Sequence, residues 1–398
     1  MPVSYQLMLN GQAADSTLYT QLVSIEVEES MDLPGALQLQ VPVSVTSDGD
    51  LGYVDDPRFA PLANIAVVAT PPAPQSAIPV PGASLLGGGS TPAAQCIFDG
   101  YVLSQKLHLE RGTTASTLAV WAQDATWMMN LTEQAREWVD VTDDAVAASI
   151  FGNYGITPAD DNTTEDSPSH TEAGHSLMQR ATDIQFLRML AQRNGKFCRV
   201  ACADTPGVRT GYFAAPDLSV SPAATLTLND PQAWTVNALD VTWDATAATS
   251  VKASQALFTD SSADGVSANL TSSGLASLGD RDLATFTGNP MAVMLTAPVD
   301  DAGELTLRAQ GVLRESGWFV RCEGEADVER LGAVLRAGTV VAVSGIGSLH
   351  SGNYLVWSVR HKITPDVHTM RFVLVRNAVG AAASGTSSGA LGALAGAL

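Results

Sequence analysis

The first 130 residues alternate between apolar and polar positions with a period of two. Val23, Ile25 and Val27 are separated by polar residues, and residues 37–41 repeat the pattern. This spacing places successive side chains on opposite faces of a strand, one buried and one solvated. We therefore predict half-buried antiparallel strands that close into a first small β-barrel over residues 1–130.

Two further features are predicted within this barrel, a hairpin and a loop insertion. Residues 96–106 and 117–124 flank a glycine-bearing turn, which predicts a β-hairpin. Residues 70–94 are rich in Pro, Gly and Ser, which do not sustain a strand ladder, so a loop insertion is predicted there. Its glycine run lacks the lysine of a phosphate-binding loop, because Gly88 stands in that place.

Residues 131–232 change to mixed helical and strand patterning, which predicts an inserted α/β domain. Thr142, followed by two aspartates, predicts the start of one helix that ends near Gly152 and Gly155. We expect the paired aspartates to be solvated.

A second helix is predicted from Thr182 to Gly195. Thr182 and Gln185 have the spacing of a capping box, and Gly195 can take the left-handed conformation that ends a helix. The positions that share one apolar face are Ile184, Leu187, Leu190 and Ala191. Arg188 flanks this face, so a core-packing helix is predicted.

Strand patterning returns over residues 233–378, which predicts a second β-barrel with an insertion at about 250–338. The insertion has helical character over 300–315. The strands predicted after it are 340–344, 354–363 and 369–376, the last two joined as a hairpin across Pro365–Asp366. Residues 379–398 are mostly Gly, Ala and Ser and are expected to form a flexible tail.

The predicted fold class is therefore β-rich α+β. It comprises two small antiparallel, tube-like β-barrel domains, an α/β domain inserted between them, and a helical insertion in the second barrel.

A faint internal repeat links the two predicted hairpins. Gly100 and Thr117 are 17 positions apart, as are Gly352 and Thr369, and each glycine precedes a tyrosine and a valine. A chance likeness between two hairpins is the alternative. If the repeat is real, a trimer would carry six related barrels in a ring.

Composition narrows the function. The 398 residues carry a net charge of −20, which disfavours binding to nucleic acid and to anionic membrane surfaces. Four cysteines are too few for a disulfide scaffold, and the N-terminus has no secretory pattern. We expect cytosolic synthesis and reduced thiols.

Residues able to carry chemistry are sparse. The six histidines lack a zinc-binding spacing, and His170 and His175 are expected in a polar surface loop. Cys198 and Cys202 could share a strand face as buried thiols. On a regular strand, His361 would share a face with Leu355, Trp357 and Val359 and act in packing or hydrogen bonding. No catalytic, cofactor-binding or metal-binding residue is predicted.

Three stretches, 138–155, 182–195 and 335–377, resemble the late control protein D and baseplate hub family of contractile phage tails and injection systems. They are also similar to the N-terminal hub part of type VI secretion spike proteins. The residues that carry structural roles in this resemblance are Thr182, Asp183, Phe186, Leu187, Leu190, Ala191, Gly195, Gly338, Gly345, Gly352, Tyr354 and His361.

The resemblance implies a non-enzymatic homotrimer that joins a hexameric inner tube to a trimeric spike. It implies a separate spike protein, an inner tube protein and other baseplate components as partners, with no cofactor. Synthesis in the bacterial cytoplasm and assembly into a baseplate would follow. The alternatives are an envelope-degrading enzyme, which would need convergent catalytic groups, and a carbohydrate-binding adhesin, which would need a secretion signal.

Overall fold

The computed structural model describes residues 4–72, 93–111, 115–163, 167–172, 176–255, 266–297, 299 and 302–381. Most of the predicted loop at 70–94 and most of the predicted tail lie outside these residues.

The first part of the chain folds into seven strands and a short helix, as its period-two pattern predicts. The strands are β1 (Ser4–Leu9), β2 (Gln12–Ala13), β3 (Ser24–Ser30), β4 (Ala36–Pro42), β5 (Asn64–Thr70), β6 (Gln95–His108) and β7 (Thr117–Asp124). Helix α1 spans Ser16–Gln21. Along β3 and β4 the alternating aliphatic residues are buried, and β6 pairs with β7 as the predicted hairpin.

Residues 131–232 form small sheets around two helices. The strands are β8 (Glu133–Trp138), β9 (Val141–Thr142), β10 (Thr157–Pro158), β11 (Ser169–His170), β12 (Leu177–Thr182), β13 (Phe197–Cys202), β14 (Arg209–Ala214) and β15 (Thr225–Thr227). Helices α2 (Asp143–Asn153) and α3 (Asp183–Arg193) pack their apolar residues into one core with β8, β12, β13 and β14. The predicted positions of both helices are confirmed.

The C-terminal part supplies the remaining elements. They are β16 (Val236–Trp243), β17 (Ser250–Gln255), β18 (Val266–Leu270), α4 (Leu283–Thr287), β19 (Ala292–Leu295), α5 (Ala302–Ser316), β20 (Val320–Asp327), α6 (Val328–Leu331), β21 (Val340–Ser344), β22 (Gly352–Ile363) and β23 (His368–Arg376). Helix α5 packs on the small sheet β18-β17-β19 in a core of its own. Strand β20 lies inside the predicted insertion yet pairs with β16 and β23.

The large sheet is one open path rather than two closed barrels. Its order is β16-β20-β23-β22-β3-β4-β7-β6-β5-β1-β2, with β21 pairing with β22 and β15 with β21. The prediction of a β-rich α+β fold is confirmed, but the described pairing closes neither half on itself. The physical reason is that β22 of the second half pairs with β3 of the first half over six residue positions. The backbone hydrogen-bonding groups on these two strand edges are therefore used between the halves rather than within either half.

The two halves of this path repeat the same strand order. The first half runs β3-β4-β7-β6 and the second runs β16-β20-β23-β22, with β5 and β21 pairing at corresponding positions of β6 and β22. Each hairpin also has a register shift, between Val102 and Ser104 in β6 and between Val356 and Ser358 in β22. The likeness seen between two hairpins in the sequence therefore extends to five strands in each half.

Helix α3 begins and ends where predicted, but its cap differs. Thr182 is the N-cap residue, yet its side chain makes no capping hydrogen bond; its hydroxyl donates instead to Asn130 Oδ1 at 2.8 Å. The predicted capping box is therefore wrong, because a tertiary acceptor competes for the hydroxyl. Gly195 follows the helix with φ of +64°, as expected.

The beginning of the predicted tail is part of the fold. Val379 is fully buried and exchanges backbone hydrogen bonds with Arg281. The expectation of a flexible tail from residue 379 is therefore corrected at its first residues, because the apolar Val379 packs into the core of the large sheet.

Leu187 offers a test of the buried face of α3, because it is fully buried, whereas Met189 on the same helix is 51% exposed. We expect Leu187→Ala to lower the free energy of unfolding by about 3 kcal/mol through lost burial and a residual cavity. Met189→Ala, the matched control, should change it by less than about 0.5 kcal/mol. Urea unfolding of both variants measures the difference, and equal values would contradict the assignment of the face.

Candidate functional site

The residues predicted from the resemblance fall into two groups that lie in different cores. The first group belongs to α3. Phe186, Leu187, Leu190 and Ala191 are all buried in the core of residues 131–232, as expected for a packing helix.

Asp183, at the start of α3, is the centre of a buried hydrogen-bond network. Its carboxylate accepts hydrogen bonds from Tyr154 Oη at 2.8 Å and from Gln179 Nε2 at 2.6 Å. Gln179 Oε1 accepts in turn from Trp138 Nε1 at 3.1 Å. Burial, together with the hydrogen bond to Asp183, raises the pKa of Tyr154 to about 12. The network fixes α2, α3, β8 and β12 relative to one another.

A second polar cluster, which the sequence did not predict, joins the start of α2 to the end of α3. Asp143 is fully buried and accepts hydrogen bonds from His170 Nε2 at 2.7 Å and Asn194 Nδ2 at 2.7 Å. Arg193 Nη2 lies 3.2 Å from the same carboxylate. The expectations that Asp143 is solvated and that His170 lies at the surface are therefore wrong; His175 is outside the described residues.

The physical reason for this correction is charge compensation. A carboxylate can be buried when cationic and amide donors surround it, and Asp143 receives three such donors from distant parts of the chain. Its neighbour Asp144 remains only partly buried. The arrangement holds the start of α2 and the end of α3 together.

Gly195 lies where α3 meets α5. A Cβ atom at this position would approach Gly311 Cα of α5 to 2.6 Å, and its φ is positive. Close approach of the two backbones therefore requires glycine at this contact.

Gly352 and Tyr354, two residues of the second group, lie beside Arg376. Arg376 is fully buried and donates hydrogen bonds to the carbonyl oxygens of Leu278, Ser351 and Gly380. Tyr354 lies beside it, with the guanidinium carbon 5.4 Å from the ring centroid. This cluster ties the end of β23 to the start of β22 and to the segment before α4.

Gly338 and Gly345 flank β21, and both have a positive φ. Near Gly338, Arg336 Nε forms a 2.7 Å ion pair with Glu29 of β3, so this turn connects the two halves of the large sheet. The ion pair is mostly buried, and Cys202 Sγ lies 3.9 Å from the Arg336 guanidinium.

His361 is buried against His368, with His361 Nδ1 and His368 Nε2 3.1 Å apart. The predicted face of β22 is partly wrong, because the bulge at Trp357 reverses the alternation: Val359 shares the core of the large sheet, while Leu355 and Trp357 face a different cluster. The prediction that His361 acts in packing and hydrogen bonding agrees with this geometry.

Cys198 and Cys202 lie on one face of β13 with free thiols, and burial raises the pKa of the Cys198 thiol to about 12. In the part of the chain that the structure describes, no group of three or more His, Cys, Asp or Glu side chains could hold a metal ion. Among the helices of the described ranges, none has both the length and the apolar character needed to cross a bilayer.

A cavity of about 660 Å³ lies between α3, α5 and β22. Aromatic side chains of Phe197, Trp318 and Trp357 line it, with Arg188 at its wall. Phe197 and Trp357 pack edge to face, 5.2 Å between ring centroids. The lining also includes Asp32, Glu315 and Arg314, so it combines aromatic rings with charges of both signs.

Solved phage tail proteins share this fold along nearly the whole chain. The 43 kDa tail protein of prophage MuSo2 from Shewanella oneidensis matches with a TM-score of 0.62 at 15% identity, covering 94% of this chain and 98% of that one. The tail protein from Neisseria meningitidis MC58 matches with a TM-score of 0.62 at 13% identity, covering 95% and 97%. The fold is therefore one that phage tail proteins adopt.

An Escherichia coli protein, c3393, has a weaker match with a TM-score of 0.51 at 12% identity, covering 89% of this chain and 73% of that one. It is described as a component of the type VI secretion system that is structurally similar to the T4 bacteriophage tail proteins gp27 and gp5. The fold thus extends from phage tails to a secretion machine.

A family model described as the Alg8 N-terminal domain matches residues 72–365, which is more than half of the chain. The chain belongs to this family. The description names a domain and no activity. No curated protein matches the sequence.

Gly352 tests the Arg376 cluster. Its φ is +144°, and a Cβ atom there would lie 2.5 Å from Arg376 Nη2. We expect Gly352→Ala to lower the free energy of unfolding by at least about 3 kcal/mol. The added methyl group displaces the buried guanidinium, which then loses its hydrogen bonds to the carbonyl oxygens around it. Gly347→Ala is the matched control, since Gly347 has φ of +84° but open space around it; its cost should be about 1–2 kcal/mol. Thermal and urea unfolding compare them, and equal losses would count against the cluster.

The histidine pair predicts a specific pH dependence. Burial lowers the pKa of His361 well below its usual range and that of His368 to about 4. Between pH 6.5 and 4 the unfolded chain therefore binds more protons than the folded one, so stability is full above pH 6.5 and falls as pH drops. We expect His368 to contribute a loss of about 2 kcal/mol at pH 5 relative to pH 7.5, and His361 to add a further loss in the same direction.

Urea unfolding at the two pH values measures this loss. In the double variant His361→Leu/His368→Leu the difference between the two pH values should shrink, because both partners become apolar. His108→Gln is the control, since the His108 side chain is 53% exposed. An undiminished difference in the double variant would refute the role of the pair.

Proposed function

We propose that this protein is a structural baseplate hub of a contractile phage tail or a related injection particle. In this role a homotrimer joins a hexameric inner tube to a trimeric spike, as the resemblance to the late control protein D family implies. The observation that carries the proposal is the repeated strand order of the large sheet, β3-β4-β7-β6 and β16-β20-β23-β22.

The repeat provides a physical route from threefold to sixfold symmetry. Each chain carries two units of the same strand order, so three chains present six units around an axis. Six related units match a hexameric tube on one face, while three identical chains match a trimeric spike on the other. The protein acts as an adaptor because its internal duplication supplies both symmetries.

The two units are joined to each other by direct strand pairing. Strands β22 and β3 pair over six residue positions, from Ser358–Ser30 to Ile363–Ile25. On the solvent side, Arg360 and Glu28 form a 2.6 Å ion pair. Buried valine and isoleucine side chains of both strands contribute to the shared core. Transmission of mechanical load between tube and spike requires such a joint.

The role is mechanical rather than catalytic in this proposal. Two buried carboxylates are bound by other side chains of the same chain: Asp143 binds His170 and Arg193, and Asp183 binds Tyr154. Under the same proposal, residues 1–130 and 233–378 are the two hub domains and residues 131–232 are an insert between them. A separate spike protein, the inner tube protein and other baseplate components are the partners.

The test is the mass of the purified full-length protein in solution, alone and mixed with the spike and tube proteins of the same particle. We expect a trimer that binds both, and no release of soluble fragments when the protein is incubated with purified cell wall. A protein that stays monomeric and joins neither partner would overturn the hub role. Release of cell-wall fragments would instead favour an enzyme.

A further inference from the structure

The duplication of the sheet leaves two strand edges that lack the neighbour their counterparts have. Strand β22 changes partner along one edge: Gly352–Leu355 pair with β21, and Ser358–Ile363 pair with β3. The corresponding edge of β6 pairs with β5 up to Tyr101, and no strand in the described ranges pairs with it at Ser104–His108. Strand β16, the counterpart of β3, likewise ends the sheet path with one edge open.

The exposed fractions of side chains on β22 and β6 differ because, within the described part of the chain, only β22 has a neighbouring strand on this edge at these positions. In β22, His361 and Ile363 are 0% and 1% exposed, because β3 covers them. Their counterparts by strand register, Leu107 and Leu109, are 37% and 54% exposed. Leu107 lies opposite the fully buried Leu118 of β7, so its side chain is on the core face of the sheet. Its side chain is exposed because, among the described residues, no strand lies beside it on that edge.

Strand β16 is also less buried than its counterpart β3. Ile25 and Val27 of β3 are fully buried, whereas their counterparts Leu239 and Val241 are only partly buried while still packing against the core of the large sheet. Trp243, farther along β16, is 52% exposed. Exposed apolar side chains on an open strand edge are features of a surface that pairs with another strand.

We propose that the open edge of β16 in one copy pairs antiparallel with Ser104–Leu109 of the next copy. We obtain the register by replacing each residue of the β22–β3 pairing with its counterpart in β6 and β16. In this register Leu107 lies opposite Val241, Leu109 opposite Leu239, and His108 opposite Asp240. This inference rests on the proposed trimeric hub and names the surface that assembles it.

Charge on the outer face favours the same register. Within one chain, the basic Arg360 and Lys362 of β22 lie 2.6 Å and 3.6 Å from Glu28 and Glu26 of β3. The counterparts of these two basic residues are Lys106 and His108, and the counterpart of Glu26 is Asp240. In this register His108 lies opposite Asp240, and Lys106 lies two positions away on the same outer face. Within the chain, His108 Nε2 also lies 3.1 Å from Glu110.

The contact is heterologous, because two different edges meet. Strands β16 and β6 are separated by six strands along the sheet path, and they do not pair with each other in the described residues of one chain. A heterologous contact builds a ring when the rotation between copies closes. Alternating joints within and between chains would give six equivalent units from three copies, with no open edge among these strands.

The experiment is a cysteine cross-link in the full chain. In the double variant Leu107→Cys/Val241→Cys the new thiols lie opposite each other across the contact, where Cα atoms are about 4.5–5.5 Å apart, within disulfide reach. Addition of a disulfide oxidant such as oxidised glutathione joins the two sulfurs, with both protons and two electrons passing to the oxidant. We expect a covalent trimer on non-reducing gels and no cross-link in either single variant.

The register is tested by a shifted pair. In Leu107→Cys/Asp240→Cys the two side chains point to opposite faces of the sheet, so covalent trimer should fall at least about tenfold. Equal cross-linking of the two cysteine pairs would overturn the proposed contact. So would the absence of any cross-link in a protein whose wild type is a trimer. Either result would leave the hub role unaffected. Absence of any oligomer would overturn both. A cross-linked trimer that binds no spike or tube would support the contact and contradict the hub role.

A charge substitution provides a second test that does not depend on disulfide chemistry. Leu109→Asp places a charge opposite Leu239, so we expect the dissociation constant of the trimer to rise at least about tenfold. Leu131→Asp is the matched control, because Leu131 is 61% exposed and lies outside the proposed contact. Both variants should fold, since neither leucine is buried in the single chain. An unchanged trimer for Leu109→Asp in sedimentation measurements would contradict the proposal.

Discussion

The bulge at Trp357 is the constraint on which the rest of the structure depends. On one side of it β22 pairs with β21, and on the other it pairs with β3. The backbone carbonyl of Trp357 accepts a hydrogen bond from Met31, and its ring packs against Phe197 of β13 and Trp318 after α5. One irregular residue therefore joins both halves of the large sheet, the inserted region and the helical segment.

Joining the halves through an edge explains why the strands form an open path instead of two barrels. The period-two pattern of β3, β4 and β7 specifies that each strand has one buried face, and the sequence predicts these strands well. The pattern does not specify which strands are neighbours in the sheet, because backbone hydrogen bonds between strands do not depend on side-chain identity. The bulge also reverses the faces of β22, which is why the face of His361 could be predicted only in part.

Buried polar groups mark a second limit of sequence-based prediction. Asp143 and His170 appear as ordinary residues of a helix start and a polar loop, and only the fold brings Arg193 and Asn194 to the same carboxylate. Gly352 is a similar case. Its position in a motif is visible in the sequence, but the reason for it, the guanidinium of Arg376 against its backbone, depends on a residue 24 positions later.

An open sheet edge usually promotes aggregation, so the open edges of β16 and of the C-terminal part of β6 require a means of restricting their partners. The edge of β16 carries Asp240 between its two inward aliphatic residues, and the segment of β6 carries Lys106 beside Leu107. Pairing two copies of the same edge would bring like charges together, whereas pairing the unlike edges brings opposite charges together. With a net charge of −20, free chains also repel each other at long range. In the proposed contact, charge at the edges therefore favours the pairing of unlike edges, and the duplication that leaves each edge open also provides its complement.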